Sequence, residues 1–213
     1  MIFSAMGKLR TFFRSLNKRE LIKEKFRVCF QSVFYKINYK KFGKYSQIIK
    51  PIRIFGKKQI AIGDKVIIMN NARIETINTW DNQIFNPQII IGDRVNIGQN
   101  FHLTAADKLI IGKDVTISGN VFITDIDHDY KKIGTNILNQ ELIISHTEIG
   151  DNSFIGFGAS IQAGTVLGKQ CIVGTNAVVR GKFDDYSVIV GAPARVVKKY
   201  NPVTGIWEKY NNN

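Results

Sequence analysis

The chain of 213 residues lacks several features that mark common protein classes. Its 2 cysteines, Cys29 and Cys171, lie far apart and fit no metal-binding or redox spacing. No apolar run reaches the roughly 18 residues that are needed to cross a bilayer. The opening stretch MIFSAMGKLR carries charge from Lys8 onward, unlike the apolar core of a secretory signal. We therefore expect a reduced, cytoplasmic protein without a metal site.

Acidic residues are scarce in one part of the chain only. Residues 1–58 hold 16 Lys/Arg and 2 Glu, a net charge of +14. Residues 59–213 hold 14 Lys/Arg and 15 Asp/Glu, a net charge of −1. The charge would suit nucleic acid or an anionic membrane, but it belongs to the N-terminal segment, and we expect no nucleic-acid partner. No GxGxxG or P-loop motif is present, so no dinucleotide or ATP site is expected.

What the sequence has instead is a repeat of six residues. Aliphatic side chains follow this period in five groups of three: Ile62, Ile68, Ile74, Ile91, Ile97, Leu103, Ile111, Ile117, Ile123, Ile149, Ile155, Ile161, Leu167, Val173 and Val179. A period of six excludes an amphipathic helix, whose period is about 3.6. Hexapeptide repeats are typical of a parallel β-helix, in which coils stack at about 4.8 Å. A glycine often follows the aliphatic residue, as at Gly63 and Gly92, and we expect it to turn the corner with φ > 0.

Three insertions interrupt this repeat. They span residues 75–90, two residues near Ala106 and Asp107, and residues 124–148. Because the wall of a solenoid is smooth, functional residues are expected in the loops that leave it.

The repeat, the stretch FITDIDHDYK at 122–131 and the stretch VIVGAPARVVKKY at 188–200 together resemble the hexapeptide-repeat acyltransferases. The likeness is to galactoside and maltose O-acetyltransferases and to O-acetyltransferases of bacterial surface polysaccharides (lipopolysaccharide and capsule), over roughly residues 60–199. The resemblance implies an all-β fold, a left-handed parallel β-helix of about five coils with a protruding loop, and a homotrimer. It also implies acetyl-CoA as co-substrate and a sugar or glycan acceptor.

By this resemblance His128 is the general base. A neutral imidazole, with an ordinary pKa near 6.5, can take the proton of a sugar hydroxyl as that hydroxyl attacks a thioester. From composition alone, His128 could instead be a solvated loop histidine. The polysaccharide branch often carries a second histidine where this chain has Ile126, so a second histidine is not expected to position the substrate.

The resemblance also assigns the substrates. It places Asn100, Asp107, Trp80 and Asp125 toward the acceptor. For Asn100 the alternative is a corner residue in the left-handed conformation, and for the aspartates it is the formation of turns. The residues it places along the coenzyme are Gly156, Phe157, Thr175, Arg180, Arg195 and Lys198. Backbone N–H groups near Gly156 and Phe157 would hold the oxyanion, and Arg195 and Lys198 would contact phosphates unless they only solvate the end of a helix.

The chain divides into a basic helical segment at 1–58, the β-helix at 59–187 and a C-terminal extension at 188–213. Apolar residues at 22, 26, 30, 33 and 37 have helical spacing. Such a helix either covers the open end of the coil and its unpaired edge, or lies on an anionic membrane surface, which would put the protein at the inner face of the membrane.

These observations predict an O-acetyltransferase that acts on a sugar of a surface polysaccharide or its precursor, in a site shared between subunits. Two alternatives stay open. One is an N-acetyltransferase for an amino sugar, because the same histidine could deprotonate an ammonium group. The other is a β-helix scaffold without catalytic activity.

Overall fold

The computed structural model describes residues 18–210, in which one helix, Lys18–Asn38, precedes a coil of short strands. The coil has three faces, each a sheet of parallel strands, one above the next. The first face consists of Lys41–Phe42, Ile60–Ile62, Gln88–Ile91, Lys108–Ile111, Thr147–Ile149, Val166–Leu167 and Lys182–Phe183. The second face consists of Gln47–Ile48, Ile67–Ile68, Asn96–Ile97, Thr116–Ile117, Phe154–Ile155, Ile172–Val173 and Ser187–Gly191. The third face consists of Arg53–Ile54, Arg73–Thr76, His102–Ala105, Phe122–Thr124, Ser160–Ile161 and Val178–Val179.

The remaining elements lie outside the regular coil. Antiparallel strands Ala194–Asn201 and Ile206–Lys209 extend the second face at its C-terminal end. Two hairpins leave the coil, Thr79–Trp80 with Gln83–Ile84 and Ile126–His128 with Leu142–Ile144. Two short 3-10 turns complete the chain, at Lys57–Gln59 and Ile137–Asn139.

The core of the coil is the predicted set of aliphatic residues. All fifteen are buried, with at most 2% of each side chain exposed. Strand pairing stacks them in register, so that Ile97 lies between Ile68 and Ile117. Burial of each such side chain contributes roughly 1.5–3 kcal/mol, and every coil adds three of them. The period of six therefore predicted the coil correctly.

A second inward column was not visible as a pattern in the sequence. It lies two residues before each aliphatic and is buried as well, but several of its members are polar, such as Ser153 and Thr165. Their hydroxyls donate to backbone carbonyls of the next coil, from Ser153 to Gly168 at 3.3 Å and from Thr165 to Val179 at 2.9 Å. Because these hydroxyls are satisfied inside the coil, a small polar side chain can replace an apolar one in this column.

The predicted role of the repeat glycines is wrong. Gly92 does not have a positive φ; instead, a Cβ there would lie 2.7 Å from the backbone of Gly112 in the next coil. Close stacking of the coils therefore requires this glycine. The left-handed conformation falls two residues later, for example at Arg94 with φ 59.

The coil begins earlier than the predicted boundary at residue 58. The helix ends at Asn38, and the three strands between Lys41 and Ile54 form a further coil below Ile62. On the helix, the amide of Gln31 donates to the carbonyl of Ile48 at 2.8 Å and accepts from its N–H at 3.0 Å. The helix therefore covers part of the unpaired edge of the second face. Within residues 18–210 no helix is both long enough and apolar enough to span a bilayer. The N-terminal 17 residues lie outside the described part.

Candidate active site

Two of the three edges of the coil matter for the predicted site. Where the second face meets the third, each coil turns with one residue in the left-handed region: Lys50, Asn71, Asn100, Asn120, Gly158 and Asn176, with φ between 40 and 70. We call this the ladder edge. Where the third face returns to the first face of the next coil, all three insertions leave the coil, at 77–87, 106–107 and 125–146. We call this the insertion edge.

The insertion edge carries a hairpin, and His128 is the last residue of its first strand, next to the loop. Ile126–His128 pairs with Leu142–Ile144, and His128 lies opposite Leu142. Gln140 closes the loop between the strands: its side chain accepts from the N–H of Lys132 at 3.0 Å and donates to the carbonyl of Thr135 at 3.1 Å. Asp129 accepts from the N–H groups of the two residues after it, so it forms the turn that was one of its predicted alternatives.

The first insertion packs against this hairpin. The side chain of Gln83 pairs with the backbone of Leu142 as a neighbouring strand would. Its amide oxygen accepts from the Leu142 N–H at 2.7 Å, and its amide nitrogen donates to the Leu142 carbonyl at 3.1 Å. The indole N–H of Trp80 donates to the carbonyl of Gln140 at 2.9 Å. The Trp80 and His128 rings meet edge to face with centroids 5.3 Å apart. The structure thus brings together Trp80 and His128, which are distant in sequence.

His128 itself is half-buried, and its Nδ1 atom is buried without a hydrogen-bond partner among residues 18–210. A buried polar atom without a partner is costly. A partner from outside the described chain, such as a substrate or a neighbouring subunit, would remove that cost.

Asp125 differs from the expectation that it faces the acceptor. Its side chain is fully buried, and its two carboxylate oxygens accept from the N–H groups of Ala106 and Asp107 at 2.8 and 2.9 Å. Burial raises the pKa of Asp125, although these two hydrogen bonds act in the opposite direction. With no surface toward solvent, Asp125 fixes the short second insertion. This leaves the exposed side chain of Asp107 beside the hairpin.

Arg180 lies on the insertion edge, close to His128 in the chain's fold. Its guanidinium makes a bidentate pair with Asp127, both bonds at 2.7 Å, and its Nε donates to Gln162 at 3.1 Å. The pair with Asp127 raises the pKa of Arg180. Arg180 and Gln162 each directly follow an inward residue of the repeat. The period of six therefore implies that one stacks on the other. The partner Asp127 was not recognised from the sequence.

A shallow groove of about 340 Å³ joins Arg180 to the C-terminal strands. Basic side chains dominate its lining: Arg180, Lys182, Arg195 and Lys199. One acidic residue, Asp184, pairs with Lys199 at 2.6 Å. Arg195 and Lys198 lie on the strand Ala194–Asn201, so the alternative that they solvate a helix end is wrong. Lys198 is exposed but is not part of this groove.

The other predicted residues lie on the ladder edge. Asn100 stands there in the left-handed conformation, and its amide accepts from Asn71 at 3.1 Å and donates to Asn120 at 2.8 Å. Thr175 is exposed on the last full coil, and Phe157 has 44% of its side chain exposed. These residues therefore share one edge of the coil.

Of the two backbone N–H groups predicted near the oxyanion, that of Gly156 donates to the carbonyl of Val173 at 2.9 Å within the coil. Within one chain, the predicted site is thus split between two edges. Trp80, Asp107, His128 and Arg180 lie on the insertion edge, whereas Asn100, Phe157 and Thr175 lie on the ladder edge. The third face separates the two groups.

Comparisons with known proteins agree with this architecture. Residues 146–181 match the family model described as bacterial transferase hexapeptide (six repeats). The chain is similar to the putative lipopolysaccharide biosynthesis O-acetyl transferase WbbJ of Escherichia coli, with 34% identity over 128 residues, covering 57% of this chain and 65% of WbbJ. It is 39% identical over 107 residues to the probable acetyltransferase Rv3034c of Mycobacterium tuberculosis, covering 50% of this chain and 36% of that protein. The chain thus spans less than two thirds of either relative.

Among solved structures, AntD, an N-acyltransferase from Bacillus cereus in complex with dTDP and 3-hydroxybutyryl-CoA, superposes with a TM-score of 0.66. The match covers 82% of this chain and 90% of AntD at 18% identity, so it bears on the fold alone. The predicted fold, a left-handed parallel β-helix, and the predicted likeness to hexapeptide-repeat transferases are confirmed.

Proposed function

We propose that this chain moves an acetyl group from acetyl-CoA to a sugar hydroxyl of a surface polysaccharide or its precursor, as its hexapeptide repeats and its similarity to acetyltransferases suggest. The observation that carries the proposal is His128. It is a half-buried imidazole, held against Trp80 at the one edge that breaks the repeat, with one ring nitrogen left without a partner in residues 18–210.

The reaction follows from that imidazole. Neutral His128 accepts the proton of the sugar hydroxyl while the hydroxyl oxygen bonds to the thioester carbonyl carbon. The tetrahedral intermediate then collapses, the carbon–sulfur bond breaks, and the imidazolium gives its proton to the departing thiolate. The products are an acetyl ester and the free thiol of the coenzyme.

The groove beside Arg180 and Arg195 supports the choice of donor. Its excess of cations suits the pyrophosphate and 3′-phosphate of coenzyme A. In this proposal Arg195 and Lys198 contact phosphates from the C-terminal strand, and Gly156, Phe157 and Thr175 line the pantetheine path on the ladder edge. Asn100, Asp107 and Trp80 face the acceptor.

A homotrimer joins the two edges. In a cyclic assembly each contact is heterologous, so the insertion edge of one subunit meets a different surface of the next. We assign that surface to the ladder edge. His128 of one protomer would then act on a thioester held along Phe157 and Thr175 of its neighbour.

Mixed trimers test this arrangement. His128→Ala and Thr175→Arg change exposed or half-exposed positions on different edges, and each variant alone is expected to be inactive. After unfolding and refolding as an equal mixture, random assembly would give about a quarter of the sites two intact edges, and so about a quarter of wild-type activity. No recovery in verified mixed trimers would place both edges in one subunit and contradict the shared site.

The acceptor is tested by thiol release from acetyl-CoA with a panel of nucleotide sugars and surface glycans. The acetylated product is then exposed to mild base, which hydrolyses an ester and spares an amide. Acetyl-CoA hydrolysis without acceptor preference would contradict a sugar substrate. A product that resists base would favour N-acetylation.

A further inference from the structure

The helix Lys18–Asn38 has two faces with different surroundings. One face packs on the coil: Gln31 pairs with the backbone of Ile48, and the rings of Tyr35 and Tyr39 each lie within 5.3 Å of the Phe42 ring, centroid to centroid. Through this face the helix covers part of the open end of the coil.

The opposite face is apolar and uncovered in the described part of the chain. Its members are Ile22, Phe26, Phe30, Val33, Phe34 and Ile37, with exposures of 66%, 73%, 57%, 65%, 48% and 72%. At about 100° per residue they fall within one stripe roughly 120° wide, whose centre lies about 120° from Gln31 and almost opposite Tyr35. We call these six residues the apolar stripe. A contiguous apolar surface of this kind marks an interaction site.

Exposed cations lie on the same helix and on the first coil. Lys23 and Lys36 are exposed on the same helix, and Lys40, Lys44 and Lys50 are exposed on the coil just after it. The segment 1–58 that contains the helix has 16 Lys/Arg against 2 Glu. An anionic bilayer surface satisfies both properties, because its acyl region takes the apolar side chains while its headgroups attract the lysines.

Other occupants satisfy only one property. A second copy of the stripe would bring two strongly basic segments together, and like charges oppose that contact. A nucleic acid would neutralise the lysines but leave six large apolar side chains in water.

We propose that the helix lies in the interface of an anionic membrane through the apolar stripe, while its other face holds the coil. This goes beyond acetyl transfer and does not depend on it. An acceptor carried on a membrane lipid would then be delivered to a site held at the same surface.

The test is flotation of the full-length protein with two kinds of vesicle, phosphatidylcholine alone and phosphatidylcholine with roughly 30% phosphatidylglycerol. The stripe variant is Phe26→Glu with Phe30→Glu. The matched control is Val203→Glu with Ile206→Glu, at two exposed apolar positions in the C-terminal hairpin. Wild type and control should bind the anionic vesicles, and the stripe variant should bind them roughly tenfold or more weakly.

Circular dichroism and thermal unfolding check that both variants fold, and light scattering reports their assembly. Failure of the wild type to float with anionic vesicles overturns the proposal. So does equal weakening by the two variant pairs, which would reflect added negative charge alone. If the stripe variant instead dissociates the assembly and the wild type does not bind vesicles, the stripe is an interface between copies.

Discussion

The ladder edge and the insertion edge are both corners of the coil, but the chain turns differently at each. On the ladder edge one solution is repeated, with a residue in the left-handed conformation on successive coils, lysine on the first coil and asparagine or glycine on the others. Gly158 lacks a side chain there, and a Cβ would lie 2.2 Å from Oδ1 of Asn176. On the insertion edge three coils are interrupted by insertions of different lengths, whereas the chain turns without a long insertion at Gly56, Gly164 and Gly181, each with a positive φ. Repetition reflects a backbone requirement, whereas the side chains that occur once, such as His128, are free to serve chemistry.

The strongest way to break this comparison is His128→Ala. We expect turnover to fall by about 100-fold or more, since a general base contributes about 10²–10⁴-fold. Steady-state acetyl transfer measures the loss, and the size of the assembly and its thermal unfolding serve as controls. Unchanged activity in a folded trimer would favour the scaffold alternative and leave the insertion edge without a catalytic role.

Asp125→Asn tests how the insertion edge is held. One amide oxygen cannot accept from Ala106 and Asp107 as two carboxylate oxygens do, and the amide N–H₂ would face an N–H donor. We expect a loss of about 1–3 kcal/mol in the free energy of unfolding, measured by urea denaturation. Asp129→Asn, a turn position on the same hairpin, is the control and should cost less. Equal losses would argue against the special role of Asp125.

Substitution of Arg180 distinguishes a role in positioning His128 from a role in binding the coenzyme. If Arg180 acts through Asp127 on the strand of His128, Arg180→Gln and Asp127→Asn should both lower kcat, by about tenfold, with little change in the KM for acetyl-CoA. If Arg180 contacts the coenzyme, only Arg180→Gln should raise that KM. A double-mutant cycle on kcat measures the coupling between the two side chains. Full additivity would contradict the positioning role.

Asn100→Gly tests whether one member of the ladder also contacts the acceptor. Glycine keeps the left-handed conformation, so Asn71→Gly is a matched control that removes a similar amide pair. Stability should fall in both, by about 0.5–1.5 kcal/mol for each hydrogen bond lost, and further in Asn100→Gly, which loses two bonds where Asn71→Gly loses one. We expect only Asn100→Gly to raise the KM for the acceptor, several-fold. If the KM for the acceptor is the same in both variants, Asn100 only forms the corner and does not contact the acceptor.

The smallest effect is expected on the third face, between the two edges. Burial, and secondarily Arg73, lower the pKa of His102. The unfolded chain therefore binds a proton before the folded chain does, and stability falls as the pH falls below about 6.5. His102→Gln should flatten this part of the curve by less than about 1 kcal/mol, measured as unfolding free energy against pH. An unchanged slope would show that His102 titrates as it does in the unfolded chain.

Some of these arrangements could be predicted and some could not. The column of residues that includes Ile68 and Ile97 was predictable because a coil repeats the same environment every six positions. The pairs of Trp80 with Gln140 and of Arg180 with Asp127 were not, because no repeat relates an insertion to the coil beside it.

The sequence alone determined the coil, its inward aliphatic column, the places where insertions leave it and the histidine among them. The period and the composition of the repeat are local properties of the sequence, and few folds other than this coil can bury apolar residues that recur every six positions. Only the tertiary structure decided which residues meet on each edge. It buried Asp125, paired Arg180 with Asp127, and separated His128 from Asn100 by the width of the third face. Contacts of that kind depend on how many residues each coil inserts and on which hydrogen bonds remain unsatisfied after stacking, and these become defined only once the coils are in register.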